Sequence, residues 1–156
     1  MRENISQAVK DAMKSGDKMR LSTLRLVQAA IKDRDIAARF DAKGQSTGLD
    51  RIDDSELLGL LQKMIKQRRE AAKTYADAGR SELADKETAE IAVIEEFLPK
   101  QLSAEETEKA VAEVIDEIGA SGLKDMGRTM GALKERFAGQ MDFGKASAVV
   151  KAKLSG

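Results

Sequence analysis

The sequence predicts an all-α protein: an N-terminal bundle of about four helices, then a small three-helix tail. Three observations point there. Charged residues make up 35% of the chain and aromatics only 3%, with a single proline, so helix-favouring Ala, Leu, Met, Glu, Lys and Arg dominate. Apolar residues recur at three- and four-residue spacings, the period of one helix face. Capping residues and glycines punctuate these periodic stretches at their ends. A length of 156 residues suffices for one domain with a real core or for two small ones.

Taken in order, Ile5, Val9, Ala12 and Met13 share a face of the first helix, and Gly16 ends it. Asp17 opens the second helix, with Leu21, Leu24, Val27, Gln28 and Ile31 as its buried stripe. The Gly/Ser/Thr/Asp-rich stretch 41–52 reads as a disordered loop. Asp53 and Glu56 have the spacing of a capping box and begin a long third helix. Its inward positions are Leu57, Leu60, Leu61, Met64, Ile65, Arg68, Ala72 and Tyr75, and Gly79 terminates it. Ser81 is the expected cap of a fourth helix that buries Leu83, Glu87, Ile91, Ile94, Phe97 and Leu98.

Pro99 stops that helix, because it lacks an amide hydrogen and disfavours helical angles at the residue before it. Residues 1–98 are thus expected to form the N-terminal helical domain, 99–102 a hinge, and 103–156 the tail. In the tail, Ser103 and Glu106 have capping-box spacing before a helix with Val111, Val114, Ile115 and Ile118 inward. A helix running to Phe137 follows, and then a last one capped by Asp142.

Composition excludes much chemistry. The chain has no cysteine and no histidine, which removes thiol nucleophiles, disulfides, thiolate metal sites and the commonest general base. No Gly-x-Ser-x-Gly elbow or phosphate-cradling Gly-x-x-x-x-Gly-Lys-Ser/Thr loop occurs. Paired acids such as Asp53-Asp54 and Glu105-Glu106 stand at helix starts, where the dipole favours them. No catalytic residue, metal ligand or cofactor is expected. Met1–Ser15 lacks an apolar signal region and no run approaches a membrane span of about 20 residues, so a cytoplasmic protein without membrane association is expected.

The net charge is zero but unevenly spread. Residues 1–81 hold 17 basic against 12 acidic side chains, residues 82–117 hold 3 against 12, and residues 118–156 hold 7 against 3. Solvated helix faces would account for this, and so would polyanion-binding surfaces. Lys66, Arg69 and Lys73 share a face of the third helix and could meet phosphates or pair with the acidic fourth helix. In the tail, Lys124 and Arg128 stand four residues apart, with Lys134 beyond. Between them lie Gly127 and Gly131, each disfavouring a helix interior by roughly 1 kcal/mol relative to alanine. Close packing of a neighbouring helix is the first expected offset, and close approach of a partner the second. With no aromatic interleaving, nucleic-acid recognition would be of backbone and shape.

An ordered set of segments resembles the GatB/YqeY family. They are Gln62-Lys63-Met64-Ile65-Lys66-Gln67-Arg68-Arg69-Glu70, Ala78-Gly79-Arg80, Lys86-Glu87, Phe97-Leu98-Pro99-Lys100-Gln101-Leu102 and Lys124-Asp125-Met126-Gly127-Arg128-Thr129-Met130-Gly131. That family is similar to the C-terminal helical and tail domains of the B subunit of the tRNA-dependent Asp/Glu amidotransferase, whose tail contacts tRNA. The resemblance implies a tRNA-interacting accessory module without a catalytic centre of its own. The tRNA-binding residues would be Lys124, Arg128 and Lys134, with Lys66, Arg69 and Lys73 as a second patch and Gly127 and Gly131 as close-approach positions. It also implies a family label of carbon–nitrogen ligase with glutamine as amide donor. The alternatives are an accessory component of that ligase reaction, or an adaptor docking on an aminoacyl-tRNA synthetase or amidotransferase. No DNA partner is expected.

Overall fold

Seven α-helices and no β-strand make up the chain in the computed structural model, which describes residues 1–156. They are α1 (Arg2–Ser15), α2 (Lys18–Ala38), α3 (Asp54–Asp77), α4 (Ser81–Glu95), α5 (Ala104–Ile118), α6 (Met126–Arg136) and α7 (Phe143–Ser155), with a 3-10 turn, Leu123–Asp125, leading into α6. The chain separates into two compact units, Met1–Leu98 and Pro99–Gly156.

In the first unit α3 and α4 form the most extensive helix pair. Gly79, at φ 73°, makes the tight reversal between them. An L-residue with a side chain would be strained at that angle. Helix α2 packs against α1, α3 and α4. The main core gathers Ile5, Val27, Ile31, Ile52, Leu57, Leu61, Met64, Ile65, Ile91 and Ile94. A smaller cluster of Ala8, Ala12, Leu24 and Val93 closes the α1 end. Buried Thr23 donates its hydroxyl to the Met19 carbonyl at 3.1 Å, which satisfies it inside the helix.

The local start signals are mostly present. The Asp53 carboxylate accepts from the Glu56 amide at 2.8 Å and the Glu56 carboxylate accepts from the Asp53 amide at 3.4 Å, a complete capping box. Asp17 and Asp142 cap α2 and α7. Ser103 accepts from the Glu106 amide at 3.1 Å.

Several expectations need correction. Ser81 lies inside the first turn of α4, and Arg80 occupies the cap position with no side-chain bond. Met13 and Leu83 are exposed, while Ala8 and Ala84 take the inward positions. The stretch 41–52 is ordered, not disordered. Asp41 accepts from the amides of Lys43 and Gln45, Phe40 and Ser46 form an isolated bridge, and Thr47 donates to the Ala38 carbonyl. Its end is anchored by Ile52, only 4% exposed.

A clamp holds that anchor. The Arg2 guanidinium donates to both Asp35 carboxylate oxygens, at 2.9 and 2.8 Å, and to the Ile52 carbonyl at 2.9 Å. The Ile52 amide donates back to Asp35 at 2.8 Å. The Arg2 and Asp35 side chains are 23% and 16% exposed, so water competes little with these bonds. The Arg2 hydrogen bond, with help from the Ile52 amide, lowers the Asp35 pKa below the usual carboxylate value.

The second unit has its own core of Ala110, Val111, Val114, Leu133, Met141, Ala146, Val150 and Leu154. Buried Thr129 donates to the Asp125 carbonyl at 2.9 Å.

Asp35→Asn is expected to destabilise the protein by about 2 kcal/mol at pH 7, the scale for losing one partner of a largely buried charged pair. A lowered folded pKa means that Asp35 contributes stability above its unfolded pKa of about 4. That contribution is lost as pH falls through the folded value. Urea unfolding at descending pH should therefore show the gap between wild type and variant narrowing below about pH 4. A gap that stays constant down to pH 2 would contradict the clamp.

Candidate nucleic-acid interface

The tail site begins at the turn that starts α6. Asp125 organises it. Its carboxylate accepts from the Ser121 amide at 2.9 Å and from the Arg128 guanidinium at 3.2 Å. The Ser121 amide first, and the charge of Arg128 after it, lower the Asp125 pKa below the ordinary carboxylate value. The acid therefore stays ionised and fixes both the 3-10 turn and the side chain of Arg128. Lys124 sits within this 3-10 turn, not on the α-helix that carries Arg128 and Lys134, which corrects the expectation of one continuous helix. A 3-10 turn frequently opens an α-helix in this way.

Helix α6 buries Thr129 and Leu133, which sit four residues apart on one face. Gly127 and Gly131 lie near the opposite face and are exposed, as are Lys124, Arg128 and Lys134. The expected close packing of a neighbouring helix at the glycines is not found: a Cβ placed at either position would have nothing within 4 Å. Within this chain, nothing requires a glycine at these two places. The result is a bare strip of backbone set among cations, with exposed Leu123 at its N-terminal end. Further along, Arg136 pairs with Glu117.

The second patch lies in the other unit, on α3. Lys66, Arg69 and Lys73 are all exposed. Arg69 is engaged by Glu95 at 3.0 Å, and the neighbouring, largely buried Arg68 by Glu90 at 3.1 Å. Both acids belong to α4, so part of the basic charge of α3 is absorbed by its own neighbour. Lys66 and Lys73 form no ion pair. The pairing role of Asp125 was missed from sequence. Its signal was local, an acid three residues before an arginine at a helix start.

No group of three or more acids converges to hold a metal ion. No buried side-chain nitrogen or oxygen is left unbonded. No helix is long and apolar enough to cross a membrane. What the arrangement offers is exposed fixed charge beside accessible backbone.

These features define an all-helical protein with basic exposed faces. The chain belongs to the YqeY-like protein family, whose description matches residues 2–154. Its relatives include fungal proteins named "altered inheritance of mitochondria protein 41, mitochondrial". The one from Pyrenophora tritici-repentis is 32% identical over 82% of this chain and 68% of the relative. The one from Lachancea thermotolerans is 30% identical over 67% of this chain and 51% of the relative. The one from Kluyveromyces lactis is 28% identical over 75% and 60%. The chain thus spans from about half to two thirds of these relatives' lengths.

If no internal neighbour needs the glycines, replacing them should help the fold. Gly131→Ala is expected to raise the stability of the protein by about 0.5–1 kcal/mol, read as a higher urea midpoint. A lower midpoint would show that a neighbour does need the bare backbone.

Proposed function

We propose that this chain is a tRNA-interacting accessory module with no catalytic centre of its own, and that the α6 face of its tail meets the sugar–phosphate backbone. With this goes a finer division of the fold: an N-terminal four-helix bundle over 1–98, a hinge at 99–102 and a three-helix tail over 103–156. The observation that carries the reading is the exposed pair Gly127 and Gly131 with no internal neighbour. Both remain unfavourable for the helix, and a partner's backbone approaching closely would offset that. Lys124, Arg128 and Lys134 around them supply phosphate-neutralising charge. The resemblance to the amidotransferase tail supports the same assignment. Lys66 and Lys73 offer a weaker second patch, because Glu95 already engages Arg69 between them. The cytoplasm is the proposed compartment, while the fungal relatives are named as mitochondrial.

Affinity for bulk tRNA should fall with salt, with a log–log slope near −2 to −3 if about three phosphates are contacted. Lys124→Glu combined with Lys134→Glu should weaken binding and flatten the slope. Gly131→Leu should weaken it at least about tenfold, by a clash, without lowering the thermal melt. Absence of binding at about 50 mM salt, or binding without a salt slope, would overturn the tRNA reading. In the presence of glutamine or ammonia, ATP and misacylated tRNA, the chain alone should show no amide formation. Turnover would overturn the non-catalytic part.

A further inference from the structure

Helix α2 presents a second surface, and its residues are of a different kind. Three helices cover its inner side. On the outer side Met19, Leu26, Ile36 and Phe40 are 41, 49, 44 and 56% exposed. Their order is regular. Met19, Leu26, Asp33 and Phe40 recur every seven residues, and Ser22, Ala29 and Ile36 fall three residues after the first three of them. This is the a and d spacing of a seam that receives another helix. Phe40 lies past the Arg39 cap of α2, where its backbone bridges to Ser46, so the helical seam runs from Met19 to Ile36 and exposed Phe40 follows its end.

One edge of the seam is uniformly charged. Lys18, Arg25, Lys32 and Arg39 each precede a seam residue by one position, again at seven-residue intervals. All four are exposed and none forms an ion pair. Arg25 makes only a long contact to the Met13 sulfur, at 3.9 Å. An open groove lined by Lys18, Leu21, Ser22, Arg25 and Leu26 runs along this edge. On its other side the seam turns into the core at buried Thr23 and half-buried Ala30, then reaches exposed Ala37, with no charge. A seven-residue row drifts about 20° per repeat on a straight helix, so a partner following it would wrap with a gentle left-handed twist.

From this geometry we propose that the outer face of α2 docks an amphipathic helix of another protein, one with an apolar seam and acidic edges. Charge complementarity selects that occupant. A second copy in antiparallel register would set the four cations against the same four cations. In parallel register it would set them against Thr23, Ala30 and Ala37, with no compensating charge. Nor does a copy of this chain offer another suitable helix. Its acidic helices already use their apolar faces internally: α4 buries Ala84, Ile91, Val93 and Ile94, and α5 buries Ala110, Val111 and Val114. A nucleic-acid backbone would satisfy the cations but leave Met19, Leu26, Ile36 and Phe40 in water. Asp33, the charged member of the seam, requires a polar or cationic residue at that layer of the partner and so fixes its register.

The test uses the full chain and three synthetic helical peptides, by calorimetry at about 150 mM salt, where diffuse attraction is screened. The first has a Leu/Ala seam and Glu edges. The second replaces Glu by Lys. The third keeps Glu but has Ser in the seam. The first peptide should bind and the other two should not. Leu26→Asp, on an exposed side chain, should weaken binding at least about tenfold with no change in thermal melt. The combined variant K18E/R25E/K32E/R39E should prefer the Lys-edged peptide. Equal binding of the Ser-seam peptide would reduce the face to diffuse anion attraction and overturn the proposal. So would an unchanged affinity in Leu26→Asp, wild-type dimers that Leu26→Asp dissociates in sedimentation, or tRNA binding that Leu26→Asp abolishes. The tRNA reading rests on α6 and stands or falls independently of these outcomes.

Discussion

The carboxylate of Asp35 takes two N–H bonds from Arg2 and one from the Ile52 amide, while Arg2 also reaches the Ile52 carbonyl. Three segments far apart in sequence are joined at this point: the start of α1, the last turns of α2 and the approach to α3. The bonds place Ile52 in the core beside Ile31, Leu57 and Leu61. They also explain why a glycine-rich connection is ordered. Both of its ends are fixed, and its backbone groups find partners in Asp41 and Thr47. With α1 tied at one end and α4 packed along it, α2 is held on its inner side, and its outer row of side chains is presented on a rigid support.

The helices themselves were legible because their causes are local. Asp17, Asp53, Ser103 and Asp142 announce helix starts through bonds three residues or fewer away, and the apolar period gives each helix its inner face. The edges of those faces were not legible. Met13 and Leu83 sit where a wider partner would have covered them, and the period alone cannot tell how wide the partner is. The Arg2–Asp35–Ile52 clamp spans separations of 33, 17 and 50 residues and leaves no periodic trace. At the candidate site, the spacing of Lys124, Arg128, Gly127, Gly131 and Lys134 could be read directly. That the glycines face solvent could not, because a glycine costs the helix the same on either side. Their exposure reverses the first expectation, of internal helix packing.

Charge shows how the structure divides what the sequence only sums. The total is zero. Yet Glu90 and Glu95 of α4 take up Arg68 and Arg69 of α3, so the densest basic run in the sequence is partly neutralised at home. Lys124 and Lys134 in the tail, and the row on α2, are not neutralised in this way. What lies between the cations separates their roles. On α6 it is bare backbone, which suits a polar surface that must come close. On α2 it is Met, Leu, Ile and Phe, whose exposure is relieved only by another apolar surface.

The tail reading is tested most directly by lysine acylation read by mass spectrometry, with and without tRNA, on the intact chain. The account predicts that tRNA slows modification of Lys124 and Lys134 while Lys10 and Lys14 on α1 react as before. Unchanged rates at Lys124 and Lys134, or protection confined to Lys66 and Lys73, would contradict it.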